Sequence, residues 1–97
     1  MGRMTYQLSK EAEKDIVAIY LQGVDQFGWV QADQYHDRLT RCFEFLADNP
    51  LAAPKMQEIV PPVRVHPLGA HLIIYQCLQP TGIHVIRVRH GREAWWL

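Results

Sequence analysis

Four arginines and a histidine in the last third of the chain are the side chains best suited to chemistry. They are Arg64, Arg87, Arg89, His90 and Arg92. Guanidinium groups bind carboxylates and phosphates through paired hydrogen bonds, so a group of them indicates a site for an anion. The alternative is structural, because the same arginines can pair with Glu58, Glu93 or the C-terminal carboxylate. The residue types leave both interpretations open.

Alternation along the last predicted strand determines where its arginines point. Side chains alternate between the two faces of a strand, which places Arg87 and Arg89 on the face of Ile83 and Val85. On the opposite face we expect His84, Ile86, Val88 and His90. If that second set points to the helices, the two arginines reach the open face of the sheet. Arg64, on a neighbouring strand, can join them there as an anion-binding patch.

The sequence gives little support for a metal site or a serine nucleophile. None of the five histidines forms the i,i+4 pair that binds zinc on a helix, and neither Cys42 nor Cys77 belongs to a CxxC motif. We therefore expect no metal and no cofactor. Ser9 is the only serine, and a helix cap explains it. Both cysteines lie in apolar runs and are predicted to be free, buried thiols.

Two tryptophans, Trp95 and Trp96, stand next to the end of the chain. Indole rings bring a large apolar area, and exposing that area is costly unless another surface receives it. The pair is expected either to pack on the rim of the core or to bind a partner. Both interpretations hold if one indole ring is buried and the other is exposed to a partner.

The N-terminal half predicts a short strand followed by two amphipathic helices. The strand covers residues 5–8, and Ser9 then supplies the N-cap hydroxyl of a helix whose apolar residues recur at helical spacing from Ala12 to Tyr20. The second helix is predicted over residues 30–47. Their connection, around residues 25–29, is short enough to make the two helices an antiparallel hairpin.

The C-terminal half predicts a sheet. Residues 50–62 contain four prolines and no clean period, so we expect an irregular crossover there. Strands are predicted at residues 63–66, 71–78 and 83–89, joined by short turns into an antiparallel meander. The helices must bury their apolar stripes against one face of it, which gives an α+β fold with a three- to four-stranded, mainly antiparallel sheet. One domain is expected over residues 4–97, with residues 1–3 an alternative start or a cloning remnant.

The charge is balanced overall and uneven in its distribution. The net charge at pH 7 is zero, with a balance of −3 over residues 1–62 and +3 over residues 63–97. A neutral chain is a poor candidate for long-range attraction to nucleic acid, so we expect no direct, sequence-specific nucleic-acid binding. Signal-peptide and membrane-span patterns are lacking, which predicts a cytoplasmic protein without a membrane partner.

The order of these segments resembles the ParE/RelE superfamily of bacterial toxins, and it is most similar to ParE. The likeness covers Thr5 to Arg92. Its more specific parts are the strand Gly69-Ala70-His71-Leu72-Ile73-Ile74-Tyr75 and the segment Arg87-Val88-Arg89-His90-Gly91-Arg92, preceded by Ser9-Lys10-Glu11-Ala12, Asn49-Pro50 and Val63-Arg64.

The ParE resemblance implies the toxin of a type II toxin–antitoxin system, a class associated with plasmid stabilisation. Such a toxin inhibits DNA gyrase by protein–protein binding and is neutralised by a ParD-like antitoxin in a hetero-oligomer. No catalytic residue is then expected. The C-terminal segment is implied to bind the target, here through Arg87, His90, Arg92, Trp95 and Trp96. For antitoxin binding beside the helical hairpin the candidates are Ile19, Tyr20 and Leu39, as contacts or as core.

The RelE branch of the superfamily is the alternative and implies a ribosome-dependent endoribonuclease that cleaves messenger RNA. Arg64 and Arg87 match two arginine positions of that branch, and His90 can serve as a general base. However, the proline-rich crossover offers only Lys55, and no tyrosine follows Tyr75. We therefore expect this protein to act by binding its target and not by catalysis.

Overall fold

A computed structural model describes residues 5–78 and 80–92 and shows a five-stranded sheet with a helical hairpin on one face. The elements are β1 (Tyr6–Leu8), α1 (Lys10–Phe27), α2 (Trp29–Asp48), β2 (Lys55–Met56), β3 (Val63–Leu68), β4 (His71–Cys77) and β5 (Ile83–His90). The predicted α+β class and helical hairpin are confirmed. The sheet is mixed and has five strands, rather than three to four.

The strand order is β1-β5-β4-β3-β2. Strands β3, β4 and β5 form the predicted antiparallel meander, whereas β1 pairs with β5 in parallel. The extra strand, β2, comes from the crossover that we expected to be irregular. Its two residues pair with the start of β3, Lys55 with Arg64 and Met56 with Val63. A two-residue strand is too short to show a period in the sequence.

One glycine joins the two helices. Gly28 has a φ of +87°, a conformation that residues with a Cβ rarely adopt, and its amide donates to the Val24 carbonyl at 2.9 Å. A second glycine, Gly23, lies inside α1. A Cβ at Gly23 would stand 3.4 Å from the Cβ of Ala32, so the missing side chain lets the helices approach closely.

The core lies between the helices and one face of the sheet. Helix α2 contributes Leu39, Phe43 and Leu46, each at most 2% exposed. From the sheet come Ile73, Tyr75, Ile83, Val85 and Val88. Cys42 and Cys77 are free thiols, as predicted, but are half-buried, and burial raises the pKa of the Cys42 thiol. Within the described ranges no helix is long and apolar enough to cross a membrane.

A bulge in β5 corrects the predicted alternation. Ile74 of β4 pairs with Arg87 while Tyr75 pairs with Val85, so Ile86 is an extra residue on β5. One extra residue exchanges the two faces for everything that follows it. Val88 therefore shares the core face with Val85, and Arg87 lies opposite Ile74 on the other face. The predicted shared face of Arg87 and Arg89 with Ile83 and Val85 is wrong for this reason.

Candidate functional site

Helix α1 closes the edge of β5 that the short strand β1 leaves uncovered. The amide of Ser9 donates to the Val85 carbonyl at 3.0 Å, and its hydroxyl donates to the Ile86 carbonyl at 2.6 Å. The Val88 amide donates to Oδ2 of Asp15 at 3.0 Å. Ser9 also caps α1 as predicted, because its Oγ accepts from the Ala12 amide at 2.9 Å. Side chains of α1 thus satisfy backbone groups around the bulge.

Asp15 holds two of the predicted site arginines. Nε of Arg87 donates to Oδ2 of Asp15 at 2.8 Å, and Nη2 donates to Oδ1 at 2.9 Å. Nη1 of Arg89 lies 3.6 Å from Oδ1. Burial raises the pKa of the Asp15 carboxyl, but the hydrogen bonds from Arg87 and Val88 and the charges of both arginines more than reverse this, so it lies below its usual 3.8.

The Asp15 contact was missed by sequence reasoning, which proposed Glu58, Glu93 or the C-terminal carboxylate as structural partners of the arginines. The position of Asp15 in the sequence did indicate that it needs a partner. Asp15 stands three residues after Ala12 and four before Ile19, inside the apolar stripe of the helix. A carboxylate in such a stripe requires a partner, because burying an unpaired charge is costly.

Arg64 does not lie on the same face of the sheet as Arg87 and Arg89. It pairs across the sheet with Tyr75, on the face that carries the helices, and its Nη1 donates to the Ala53 carbonyl at 2.6 Å. Arg87 and Arg89 pair with Ile74 and Leu72 on the opposite face. The expectation that Arg64 joins them in one anion-binding patch is therefore wrong.

The remaining members of the predicted target-binding set follow the bulge. His90 and Arg92 are exposed, and Nδ1 of His90 accepts a hydrogen bond from the Arg92 amide at 3.1 Å. The ring of His90 stands edge-on to that of His71, with centroids 5.7 Å apart. Trp95 and Trp96 lie outside the described residues.

A groove of about 460 Å³ runs between α1 and α2 and reaches the turn between β3 and β4. The three residues predicted for antitoxin binding, Ile19, Tyr20 and Leu39, all line it. Leu39 is 1% exposed and belongs to the core, so it forms part of the groove floor. Ile19 and Tyr20 are half-buried and form part of its wall. We call this surface the hairpin groove.

A tyrosine and two residues of the β3–β4 turn build one end of the hairpin groove. Oη of Tyr35 donates to the Leu68 carbonyl at 3.1 Å and lies 2.6 Å from Nδ1 of His71. Burial raises the pKa of Tyr35, against the opposing charge of Arg38. Gly69 has a φ of +56°, and a Cβ there would stand 2.8 Å from Oη of Tyr35. The turn needs glycine for both reasons.

The tip of the helical hairpin exposes aromatic and aliphatic side chains. Phe27, Trp29 and Val30 are each at least 60% exposed. Beside them the Tyr20 ring lies tilted against Trp29, with centroids 6.2 Å apart. The Tyr20 hydroxyl donates to Oδ1 of Asp33 at 2.6 Å, a bond that raises the pKa of Tyr20. Contiguous exposed apolar surface of this kind is typical of a protein-binding site.

A metal centre finds no support in this geometry. Among residues 5–78 and 80–92, no three histidine, cysteine or carboxylate side chains are grouped so as to hold an ion. Two of the histidines contact aromatic rings, His36 with Tyr20 and His66 with Phe45.

Comparisons with known proteins agree on one family. The family model described as the ParE toxin of the type II toxin–antitoxin system parDE matches residues 6–95. Toxin ParE1 of Mycobacterium tuberculosis, from strains CDC 1551 / Oshkosh and H37Rv, is 32% identical over 87 residues, which cover 90% of this chain and 89% of that protein. A solved chain from the chromosomal ParDE system of P. aeruginosa matches with a TM-score of 0.74 at 21% identity, over 91% of this chain and 96% of that one, and so shares the fold.

Proposed function

We propose that this chain, which belongs to the ParE toxin family, inhibits DNA gyrase by binding it and is neutralised by a ParD-like antitoxin. Family membership supports the toxin–antitoxin role. The choice of protein binding over RNA cleavage is supported by the separation of Arg64 from Arg87, the observation that carries this proposal.

That separation matters because cleavage of RNA needs basic groups that converge on one phosphate. Arg64 lies on the helix side of the sheet and donates to the Ala53 carbonyl. Arg87 lies on the other side, where its guanidinium already makes two hydrogen bonds to Asp15. Two guanidinium groups on opposite faces of a sheet do not contact the same phosphate, so the ribonuclease alternative is not favoured.

For target binding we assign the C-terminal part of β5 and the segment after it. The residues proposed are Arg87, His90, Arg92, Trp95 and Trp96. Arginine and tryptophan are the side chains most enriched among interface residues whose truncation costs about 2 kcal/mol or more. Arg87 is held by Asp15 yet 35% exposed, so it can present an oriented guanidinium to a partner. The two tryptophans enter the proposal through their residue type alone.

Truncation after Gly91 tests this assignment because it removes Arg92, Trp95 and Trp96 together. The full chain is expected to inhibit supercoiling by purified gyrase, to accumulate cleaved DNA, and to leave messenger RNA intact on translating ribosomes. The truncated chain should lose the inhibition. Its retained antitoxin binding controls for folding. Gyrase inhibition by the truncated chain would show that the tail is not the binding segment, and messenger RNA cleavage by the full chain would refute the proposed mechanism.

To the antitoxin we assign the hairpin groove. An amphipathic helix that fills a groove presents apolar side chains at i, i+3/i+4 and i+7, and the groove supplies apolar walls at Ile19 and Tyr20 over the buried floor at Leu39. The exposed apolar tip of the hairpin extends this surface. A partner helix would cover apolar area that otherwise faces water.

The substitution Ile19→Asp tests the groove assignment, with Leu21→Asp as its matched control on the same helix. Leu21 is 60% exposed and does not line the groove. A carboxylate at position 19 would be desolvated by the bound helix, so we expect affinity to fall at least about tenfold, against less than about twofold for Leu21→Asp. Titration calorimetry with a ParD-like antitoxin measures both. Equal affinities would place the antitoxin elsewhere.

A further inference from the structure

The side chains that line the hairpin groove carry charge of one sign. Helix α1 supplies apolar and amide groups, including Gln22 and Gln26. From α2 and the sheet come the basic groups Arg38, His36, His71 and His90. None of the described residues that line the groove is a carboxylate. The neighbouring Asp33 accepts a hydrogen bond from Tyr20 on the groove wall.

From this charge pattern we propose that the hairpin groove selects an amphipathic helix with acidic residues beside its apolar stripe. The inference rests on the proposed antitoxin site. It goes further by naming the chemistry of the partner segment.

Arg38 is the permanent charge of this site. Its Cζ lies 5.6 Å from the ring centroid of Tyr35, in the geometry of a cation–π contact. Tyr35 is itself held by Leu68 and His71, so the guanidinium has a defined place beside the groove. Among residues 5–78 and 80–92 no ion pair involves Arg38, whereas the neighbouring Arg41 pairs with Asp37 at 2.9 Å. A carboxylate on a bound helix would complete the environment of Arg38.

Three imidazoles from three elements line the groove together with Arg38. His36 of α2 stands edge-on to Tyr20 at 5.9 Å, His71 of β4 contacts Tyr35, and His90 of β5 contacts His71.

Two designed peptides of 16 residues test the selectivity on the full chain. Both carry leucines at i, i+4, i+7 and i+11, a row of about three helical turns, and they differ only in having glutamate or glutamine beside that row. By fluorescence anisotropy we expect the glutamate peptide to bind at least about fivefold tighter than the glutamine peptide. Equal affinities of the two peptides would overturn the inference.

Variants locate the effect on the groove. Arg38→Gln should weaken the glutamate peptide about fivefold and leave the glutamine peptide unchanged, while the control Arg41→Gln should change neither. If the Ile19→Asp experiment places the antitoxin in the groove but Arg38→Gln binds both peptides normally, the antitoxin site stands and the selectivity is wrong. If the antitoxin does not bind there, the proposed site itself fails.

Discussion

Asp15 is the residue that joins the two layers at the proposed working edge of the molecule. Its side chain is 11% exposed, and its two oxygens accept from Arg87 and from the Val88 amide. Removing the carboxylate would leave the guanidinium and a backbone amide without these partners, and the loss of partners for buried polar groups is what makes such changes costly. The same contact orients the arginine that we assign to target binding.

We expect Asp15→Asn to lower the free energy of unfolding by about 2 kcal/mol at pH 7. The matched control is Asp37→Asn, which breaks the exposed i,i+4 pair with Arg41 and should cost less than about 0.5 kcal/mol. Urea unfolding followed by circular dichroism measures both. Equal losses would contradict a special role for Asp15.

The contribution of Asp15 to the free energy of unfolding should also depend on pH. The pKa of Asp15 is lowered by folding below its usual 3.8, so the unfolded chain takes up the proton first as the pH falls. The stabilisation is therefore complete above about pH 5 and is lost as the pH falls through the pKa of the folded state. The difference in unfolding free energy between the native chain and Asp15→Asn should shrink below pH 4. A constant difference from pH 7 to pH 3 would count against this assignment.

Among the secondary-structure elements, β1 and the bulged strand β5 determine what the sheet presents. The parallel pairing of β1 starts where the Ile83 amide donates to the Thr5 carbonyl at 3.2 Å, and it ends at Val85, just before the bulge. Beyond that point α1 takes over the edge through Ser9 and Asp15. The free part of β5 is therefore covered by side chains rather than by another strand, which also blocks edge-to-edge pairing.

Two glycines of positive φ provide an element-scale prediction. At Gly82 (φ +91°) and Gly28 (φ +87°) the backbone strain that a Cβ introduces should by itself cost about 1–2 kcal/mol of stability on substitution by alanine. At Gly82 the Cβ would also collide with the Thr5 carbonyl oxygen, whereas at Gly28 nothing lies within 4 Å. We expect Gly82→Ala to cost about 2 kcal/mol more than Gly28→Ala, as measured by chemical unfolding. Equal losses of stability in the two variants would mean that β1 can move away from the new Cβ at no cost in free energy.

The whole molecule combines zero net charge with an apolar hairpin surface. Its isoelectric point is about 7.0, with the acidic excess in the first 62 residues and the basic excess in the remainder. Opposite charges on the two parts of one chain favour contacts between copies where no net repulsion opposes them. Exposed Phe27, Trp29 and Val30 add an apolar drive to such contacts. A partner that covers the hairpin would bury part of this apolar surface and so weaken contacts between copies.

We therefore expect the isolated chain to be least soluble near pH 7. At pH 5.5, below the isoelectric point, the chain carries a net positive charge, and light scattering at equal concentration should fall several-fold. Addition of the antitoxin at pH 7 should have a similar effect. Scattering that does not change with pH would show that association does not depend on net charge.

The sequence by itself determined those features that depend on neighbouring residues. Ser9 caps a helix because the amide it accepts from is three residues away, at Ala12. The helical stripes, the hairpin connection and the antiparallel meander follow from spacing over a few turns or one loop. The order of these segments was also sufficient to indicate the ParE family, which the family model and the M. tuberculosis relatives confirm.

Only the tertiary structure decided which distant residues share a site. Asp15 and Arg87 are 72 residues apart, and no local pattern pairs them. One extra residue at Ile86 shifted the alternation and carried Arg87 away from the face of Val85, while Arg64 remained with Tyr75 on the other side. Spacing reports the period of a strand, but a bulge and the partner across the sheet are set by packing of the whole chain. That is why the arginines could be named from the sequence, and their separation could not.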